Sequence, residues 1–296
     1  MIRRDRRSTP VRRLVVMGES NAYGMCAGNP ANEWVQTLAD CLRRFQGEPV
    51  QVFNNAIPAN VISPDAPGYE PGDVYRTAPS ALERFEQDMV AYTPDLAIYA
   101  YGLNDSRCGH SVASFVAAYR TIVVKTRAAL PDSLIVLVGP YWNLQYDAGT
   151  WAQPQHRDWG FGKFGLPGDE LVTAYNREIA SLADEFDALF VDVYHLLEGA
   201  TWLLNADACH FHDAGQAIIG FKVFCEIATN CSFATSHSKE IENRLQLNIW
   251  NTGGTQALPH VVTTWRTADR WQQRFSPEER PWDLDHAPTP STGDAS

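Results

Sequence analysis

The sequence predicts an α/β protein built on an open parallel sheet with helices on both faces. Three observations carry this. Short apolar runs rich in Val, Ile and Leu recur along the chain; helix-like segments with 3.6-residue faces separate them; and strand then helix repeats about five times. Consecutive apolar residues, without strict alternation, suit strands buried on both faces.

The elements follow in order. Strands are predicted at RRLVVMG (12–18), VQVFNNAI (50–57), DLAIYAYG (95–102), SLIVLVGP (133–140) and ALFVDVY (188–194). Between the first two lies EWVQTLADCLRRF, which follows Asn32, a good N-cap. SALERFEQDMVAY begins at Pro79-Ser80 and carries Glu83 three residues after the serine, the spacing of a capping box. SVASFVAAYRTIVVKTRAAL, DELVTAYNREIASLADEF and GQAIIGFKVFCEIATN complete the helices. Two regions break the rhythm. Residues 140–168 form an aromatic, Gly/Pro-rich insertion of a length typical of functional or disordered segments, and its three tryptophans favour a packed lid over disorder. Beyond about residue 233 an extension to 275 keeps apolar spacing and is expected to pack on the domain or a partner, whereas 276–296 has the composition of a disordered tail.

Composition narrows the function classes. The chain has 296 residues, is 45% hydrophobic and 20% charged, and so can bury a substantial core centred on one domain, residues 12–232. A net charge of −11 argues against nucleic-acid binding. The basic start, MIRRDRRSTPVRR, reads as a flexible, solvated arm over residues 1–11. No run approaches the roughly 20 apolar residues of a membrane span, and Leu14–Met17 is too short for a signal-peptide core. Six cysteines without a CxxC pair point to reduced thiols, no structural zinc and a cytoplasmic location.

Sites in such sheets form beyond the carboxyl ends of the strands. There the first strand runs into Gly18-Glu19-Ser20-Asn21, the second into NNAIPAN (54–60) and the third into Gly102-Leu103-Asn104-Asp105. After the fifth, before the last helix, comes Asp207-Ala208-Cys209-His210. A serine hydroxyl becomes a nucleophile when an imidazole removes its proton, and the imidazole needs a carboxylate to fix its tautomer. Asp207 and His210 can both reach a strand-end serine if their turn leads into the final helix. Asn104 offers an uncharged donor to a tetrahedral oxyanion, and a turn of small residues lets backbone amides approach it.

GES-NAYG, GLND and DACH, in this order and each after its strand, resemble the pattern of the SGNH hydrolases, the GDSL-like esterase superfamily, over about residues 12–230. The resemblance implies a flavodoxin-like α/β/α sandwich with strand order 2-1-3-4-5 and acyl-ester chemistry. It implies Ser20 as nucleophile, His210 as base and Asp207 as its orienting acid. Oxyanion donors would be the Ser20 amide, the amide in the turn at Ala59, and the Asn104 side chain. The sequence departs from the family with Glu19 in place of Asp and Ala59 in place of Gly, a residue without glycine's freedom at positive φ.

Plainer readings stand beside these. Asp105 is expected to be structural. Asp207, His210, His212 and Asp213 are metal-ligand types, but no HExxH spacing supports a metal, and Asp213-Ala214-Gly215 reads as a helix N-terminus. His110, His156 and His195 are expected at the surface or in loops, and Cys209 as a small buried neighbour of His210. Trp142, Trp151 and Trp159 serve either packing or a substrate wall. The expected function is hydrolysis of a small-molecule or carbohydrate ester, an acetylated carbohydrate among the candidates, without cofactor or metal. An acyltransferase with the same residues and a catalytically inactive binding protein are the alternatives, and the C-terminal extension offers a route to a homo-oligomer.

Overall fold

A computed structural model describes residues 4–72, 74–144 and 169–244. The sheet consists of β1 (Arg13–Gly18), β2 (Gln51–Asn54), β3 (Leu96–Ala100), β4 (Leu134–Val138) and β5 (Leu189–Val191). Its order is β2-β1-β3-β4-β5, with every neighbouring pair parallel. The longer helices are α2 (Trp34–Gln46), α5 (Val112–Ala129), α6 (Asp169–Glu185) and α8 (Asp213–Asn230). Short ones are α1 (Ser20–Tyr23), α3 (Phe85–Asp88), α4 (Leu103–Arg107) and α7 (Tyr194–Leu197).

Side-chain alternation along the strands divides the interior into two cores. Leu14, Val16, Leu96, Ile98, Val136 and Val138 face α2 and α8, meeting Leu38, Leu42, Ile219 and Val223. Val15, Met17, Ala97, Tyr99, Ile135 and Leu137 face α5 and α6, meeting Phe115, Ile122, Ile179 and Leu182. The Phe115 and Tyr175 rings stack at 4.0 Å and join those two helices. This is a three-layer α/β/α sandwich, and because each strand is covered on both faces its sequence is continuously apolar.

Three expectations differ from the structure. SALERFEQDMVAY does not form one helix. The Ser80 amide and hydroxyl both donate to Glu83 at 2.8 Å. The Ala81 and Leu82 amides are taken by the carbonyls of Val61 and Ile62, so only the short α3 and a 3-10 turn, Val90–Tyr92, remain helical. The basic N-terminus is tied down from Asp5 onward instead of frayed, the Asp5 carboxylate accepting the Ser232 amide and hydroxyl. Its Arg7 guanidinium donates to Asp95 at 2.9 Å and to the Asp132 carbonyl at 3.0 Å, its Arg6 amide to the Asn230 carbonyl, and Val11 is buried. The compact unit also runs to Thr235, beyond the expected edge at 232, because Phe233 and Ala234 are buried in the α2–α8 core. A second unit begins at Ser236 with helix α9 (Ser236–Arg244). The rest of the expected extension and tail lies outside the described residues, as do Trp151, His156 and Trp159 of the aromatic insertion. Among the described residues no single helix is long and apolar enough to cross a membrane.

The anchoring of the N-terminus is open to test by Arg7→Ala, which removes donors to the Asp95 carboxylate and to the carbonyls of Thr9, Pro10, Asp95 and Asp132. Unfolding free energy in urea should fall by about 1–3 kcal/mol; a fall below about 0.5 kcal/mol would restore the picture of a solvated arm.

Candidate active site

The site assembles from four loops at the carboxyl ends of β1, β2 and β3 and ahead of α8. The first is an elbow. Gly18 ends β1, where a Cβ would stand 2.6 Å from the Ala22 Cβ and 3.0 Å from the Ala100 carbonyl oxygen, so only glycine lets α1 fold back so tightly. Ser20 opens that helix and is buried.

The loop before α8 builds itself around one carboxylate. Asp207 Oδ1 accepts the amides of Cys209 and His210, both at 3.0 Å, an Asx-type turn that runs through Ala208 at φ 58°. Asp207 Oδ2 accepts from His210 Nδ1 at 2.5 Å. The three-residue spacing thus lays the imidazole over its own carboxylate. Leu203 and Asn205 bond this loop through the backbone, the His212 amide donating to the Leu203 carbonyl and the Asn205 amide to the His210 carbonyl, and the Leu144 amide donates to the Ala208 carbonyl. Burial pushes the Asp207 carboxyl up, but the hydrogen bonds from His210 and the Cys209 amide outweigh it and hold the group well below the usual carboxylate range. Since a carboxylate only accepts, Nδ1 carries the proton and Nε2 is left to accept. Ser20 Oγ donates to it at 2.8 Å, across 190 residues of chain.

Glu19 joins the elbow to the third loop. Its two carboxylate oxygens accept the amides of Leu103 (3.2 Å) and Asn104 (2.9 Å). Complete burial pushes its pKa up to about 8, against the pull of those two amides. The loop it holds begins at Gly102, whose φ of 139° and crowding against Pro140 (2.8 Å from a built Cβ) exclude other residues. Asn104 is buried, and its side-chain Nδ2 has no hydrogen-bond partner among the described residues. Asp105 has a structural part, accepting the Ile62 amide at 2.9 Å.

The turn after β2 answers the departure at Ala59. Its backbone lies at φ 58°, in the left-handed region despite the methyl group. The Ile57 amide donates to the Gly18 carbonyl at 3.0 Å, pinning the turn to the elbow. Asn60 Oδ1 accepts from Arg84 (3.0 Å) and Tyr101 (3.3 Å), and its Nδ2 donates to the Pro79 carbonyl. This Arg84–Asn60–Tyr101 support carries no sequence signal, because its members are 24 and 41 residues apart and lie in no motif.

The remaining candidates sort as follows. Trp142 is 8% exposed and packs in the α2–α8 core. Cys209 is buried, and burial pushes its thiol up to about 11, which leaves it un-ionised. His212 caps α8, and Asp213 accepts from Gly28 and Asn32, so neither faces His210 as a metal ligand. His110 lies in the loop between α4 and α5, as expected, but is buried there, its carbonyl accepting from the Tyr175 hydroxyl at 2.6 Å. His195 bonds Asp192 at 2.6 Å. Cys26, which no sequence pattern singled out, donates to Asp207 Oδ2 at 3.7 Å.

Comparison with known proteins agrees with this geometry. The model of the GDSL-like Lipase/Acylhydrolase family matches residues 16–218. The chain belongs to that family. It is a serine ester hydrolase of the SGNH type. No curated protein matches it in sequence. Similar solved structures include a candidate GDSL-like lipase from Parabacteroides merdae, at 17% identity and TM-score 0.55, spanning 76% of this chain and 99% of that one. A catalytic mutant of an acetylxylan esterase from Geobacillus stearothermophilus aligns at 20% identity and TM-score 0.51, over 75% of this chain and 95% of its own. TesA aligns at 18% identity and TM-score 0.54, over 73% and 98%. At these identities the likeness is one of fold.

Two tests follow from the loops. Ala59→Gly relieves a left-handed alanine at some cost in unfolded-state entropy, so stability should rise by about 0.5–1 kcal/mol with ester hydrolysis retained. A loss would show that the Ala59 methyl, packed against the Val61–Tyr75 cluster, outweighs backbone relief. Glu19 binds its proton more readily folded than unfolded. Its contribution is therefore complete below pH 4.5 and is lost as pH rises toward 8. Urea unfolding at pH 5 and pH 8 should show lower stability at pH 8, by more than about 1 kcal/mol, with Glu19→Gln flattening that slope. An unchanged slope in the variant would assign the pH dependence to other groups, the buried Asp105 first among them.

Proposed function

We propose that this hydrolase cleaves ester-linked acyl groups through an acyl-enzyme on Ser20, with His210 as general base and then acid and Asp207 as the orienting carboxylate. The observation that carries the reading is the continuous relay from Ser20 Oγ to His210 Nε2 (2.8 Å) and from His210 Nδ1 to Asp207 (2.5 Å). His210 takes the hydroxyl proton as Oγ attacks the ester carbonyl, and returns it to the departing alcohol. Water, deprotonated by the same imidazole, then releases the acid. The oxyanion is received by the unpartnered Asn104 Nδ2 together with backbone amides at Ser20 and in the Ala59 turn. Asp207 stays ionised throughout and stabilises the imidazolium. Small acyl esters, acetylated carbohydrates among them, are the proposed substrates; Trp151 and Trp159 of segment 140–168 are of a residue type that stacks on sugar rings and equally on an aryl or short acyl group.

Hydrolysis of 4-nitrophenyl acetate, butyrate and octanoate, and of acetylated xylo-oligosaccharides, tests this. Ser20→Ala and His210→Ala should each lower kcat on the order of 10⁴-fold or more while leaving the melting temperature nearly unchanged. Asn104→Ala should lower kcat by about 100- to 1000-fold with little change in KM. Hydrolytic activity persisting in Ser20→Ala would overturn the assignment. Acyl transfer to added alcohol outrunning hydrolysis would make the same residues those of a transferase.

A further inference from the structure

Cys26 is an exposed thiol in the turn after α1, and it shares an acceptor with the imidazole. Its Sγ stands 3.7 Å from Asp207 Oδ2, the oxygen that also accepts from His210 Nδ1. The Asn205 side chain reaches the Cys26 carbonyl at 3.4 Å, fastening this turn to the Asp207–His210 loop. Sulfur, carboxylate oxygen and imidazole nitrogen lie within 4.8 Å of one another, each from a different ligand class. The mechanism above makes no use of the thiol.

We infer that Cys26, Asp207 and His210 form an inhibitory binding site for a thiophilic divalent cation, with zinc as the representative ion. The inference rests on the triad reading, since the ion acts by capturing two triad members. Typical zinc–sulfur and zinc–oxygen bonds in a tetrahedral shell set the two donors about 3.6 Å apart, close to the 3.7 Å between Cys26 Sγ and Asp207 Oδ2. The corresponding oxygen–nitrogen edge is about 3.4 Å. The ion would therefore replace the proton held between Asp207 and His210 and widen their 2.5 Å contact by a small rotation of the ring. Cys26 binds as thiolate and gives one proton to solvent. His210 gives its lone pair at Nδ1 to the metal; the proton displaced from Nδ1 is taken up at Nε2 through solvent, so the ring stays neutral and Nε2 can no longer accept from Ser20. Water fills the fourth position of the ion. Mixed Cys, His and carboxylate donors select zinc-like ions over magnesium or calcium, which prefer all-oxygen shells.

The test compares the full-length protein with Cys26→Ala and Cys26→Ser in metal-free buffer. Cadmium titration is read by its thiolate charge-transfer absorption, and zinc titration by 4-nitrophenyl acetate hydrolysis. Expected is a band saturating near one equivalent that both variants lack. Without metal the variants should hydrolyse the ester at the wild-type rate. With zinc their inhibition midpoint should rise at least about 10- to 100-fold, since losing even an outer-shell partner of a metal costs that much; EDTA should reverse inhibition of the wild type. Cys225, the other exposed thiol, contributes equally to all three proteins and drops out of the comparison. An identical band in wild type and variants, or none, would overturn the site. A lost band with an unchanged zinc midpoint would overturn the inhibition. If no protein hydrolyses the ester, the proposed function fails, and the cadmium band alone still decides whether the metal site exists.

Discussion

All five strands point the same way, and the site depends on that single constraint. A parallel sheet needs a crossover after each strand, so every carboxyl end delivers a loop to the same edge. The elbow at Ser20, the turn at Ala59 and the Gly102–Asp105 loop come together there because β1 lies between β2 and β3. The α8 helix packs on the face shared with α2 and brings the Asp207–His210 loop over the same edge. The two cores hold this frame rigid, and the loops inherit its precision.

Within the frame, polar groups are bound in ways that fix geometry more than they add stability. Glu19 is a carboxyl removed wholly from water, and burying such a group is costly unless donors surround it. Here the donors are the backbone amides of Leu103 and Asn104, which offset part of that cost and join the Ser20 elbow to the Asn104 loop. Arg84 does the same for the turn after β2, donating to Asn60, to the Asn55 carbonyl and to Asp88 from a buried position. The left-handed conformation at Ala59 is held by that scaffold in spite of its methyl group.

Asp207 concentrates several roles in one carboxylate. One oxygen folds the turn; the other orients the imidazole and also faces the Cys26 thiol. That economy explains why an Asp-x-x-His spacing suffices to set tautomer and ring position together. It also exposes the relay to anything that competes for the same oxygen.

Much of this was legible from the chain alone. Continuous runs such as LVVM and LIVLV identify strands covered on both faces, and the motifs at Ser20, Asn104 and Asp207–His210 sit at strand ends where chemistry collects. Local spacing determined those features, because strand burial, Asx turns and helix periods are encoded within a few residues. Only the tertiary structure decided that the Ala81 and Leu82 amides pair with residues 61 and 62 instead of starting a helix, and that the N-terminal arginines dock on Asp95 and on the domain's carbonyls. It alone brought Cys26 to Asp207 and Arg84 to Asn60. Those contacts join segments separated by 24 to 181 residues, and their partners are chosen by packing, for which neither segment carries a local mark.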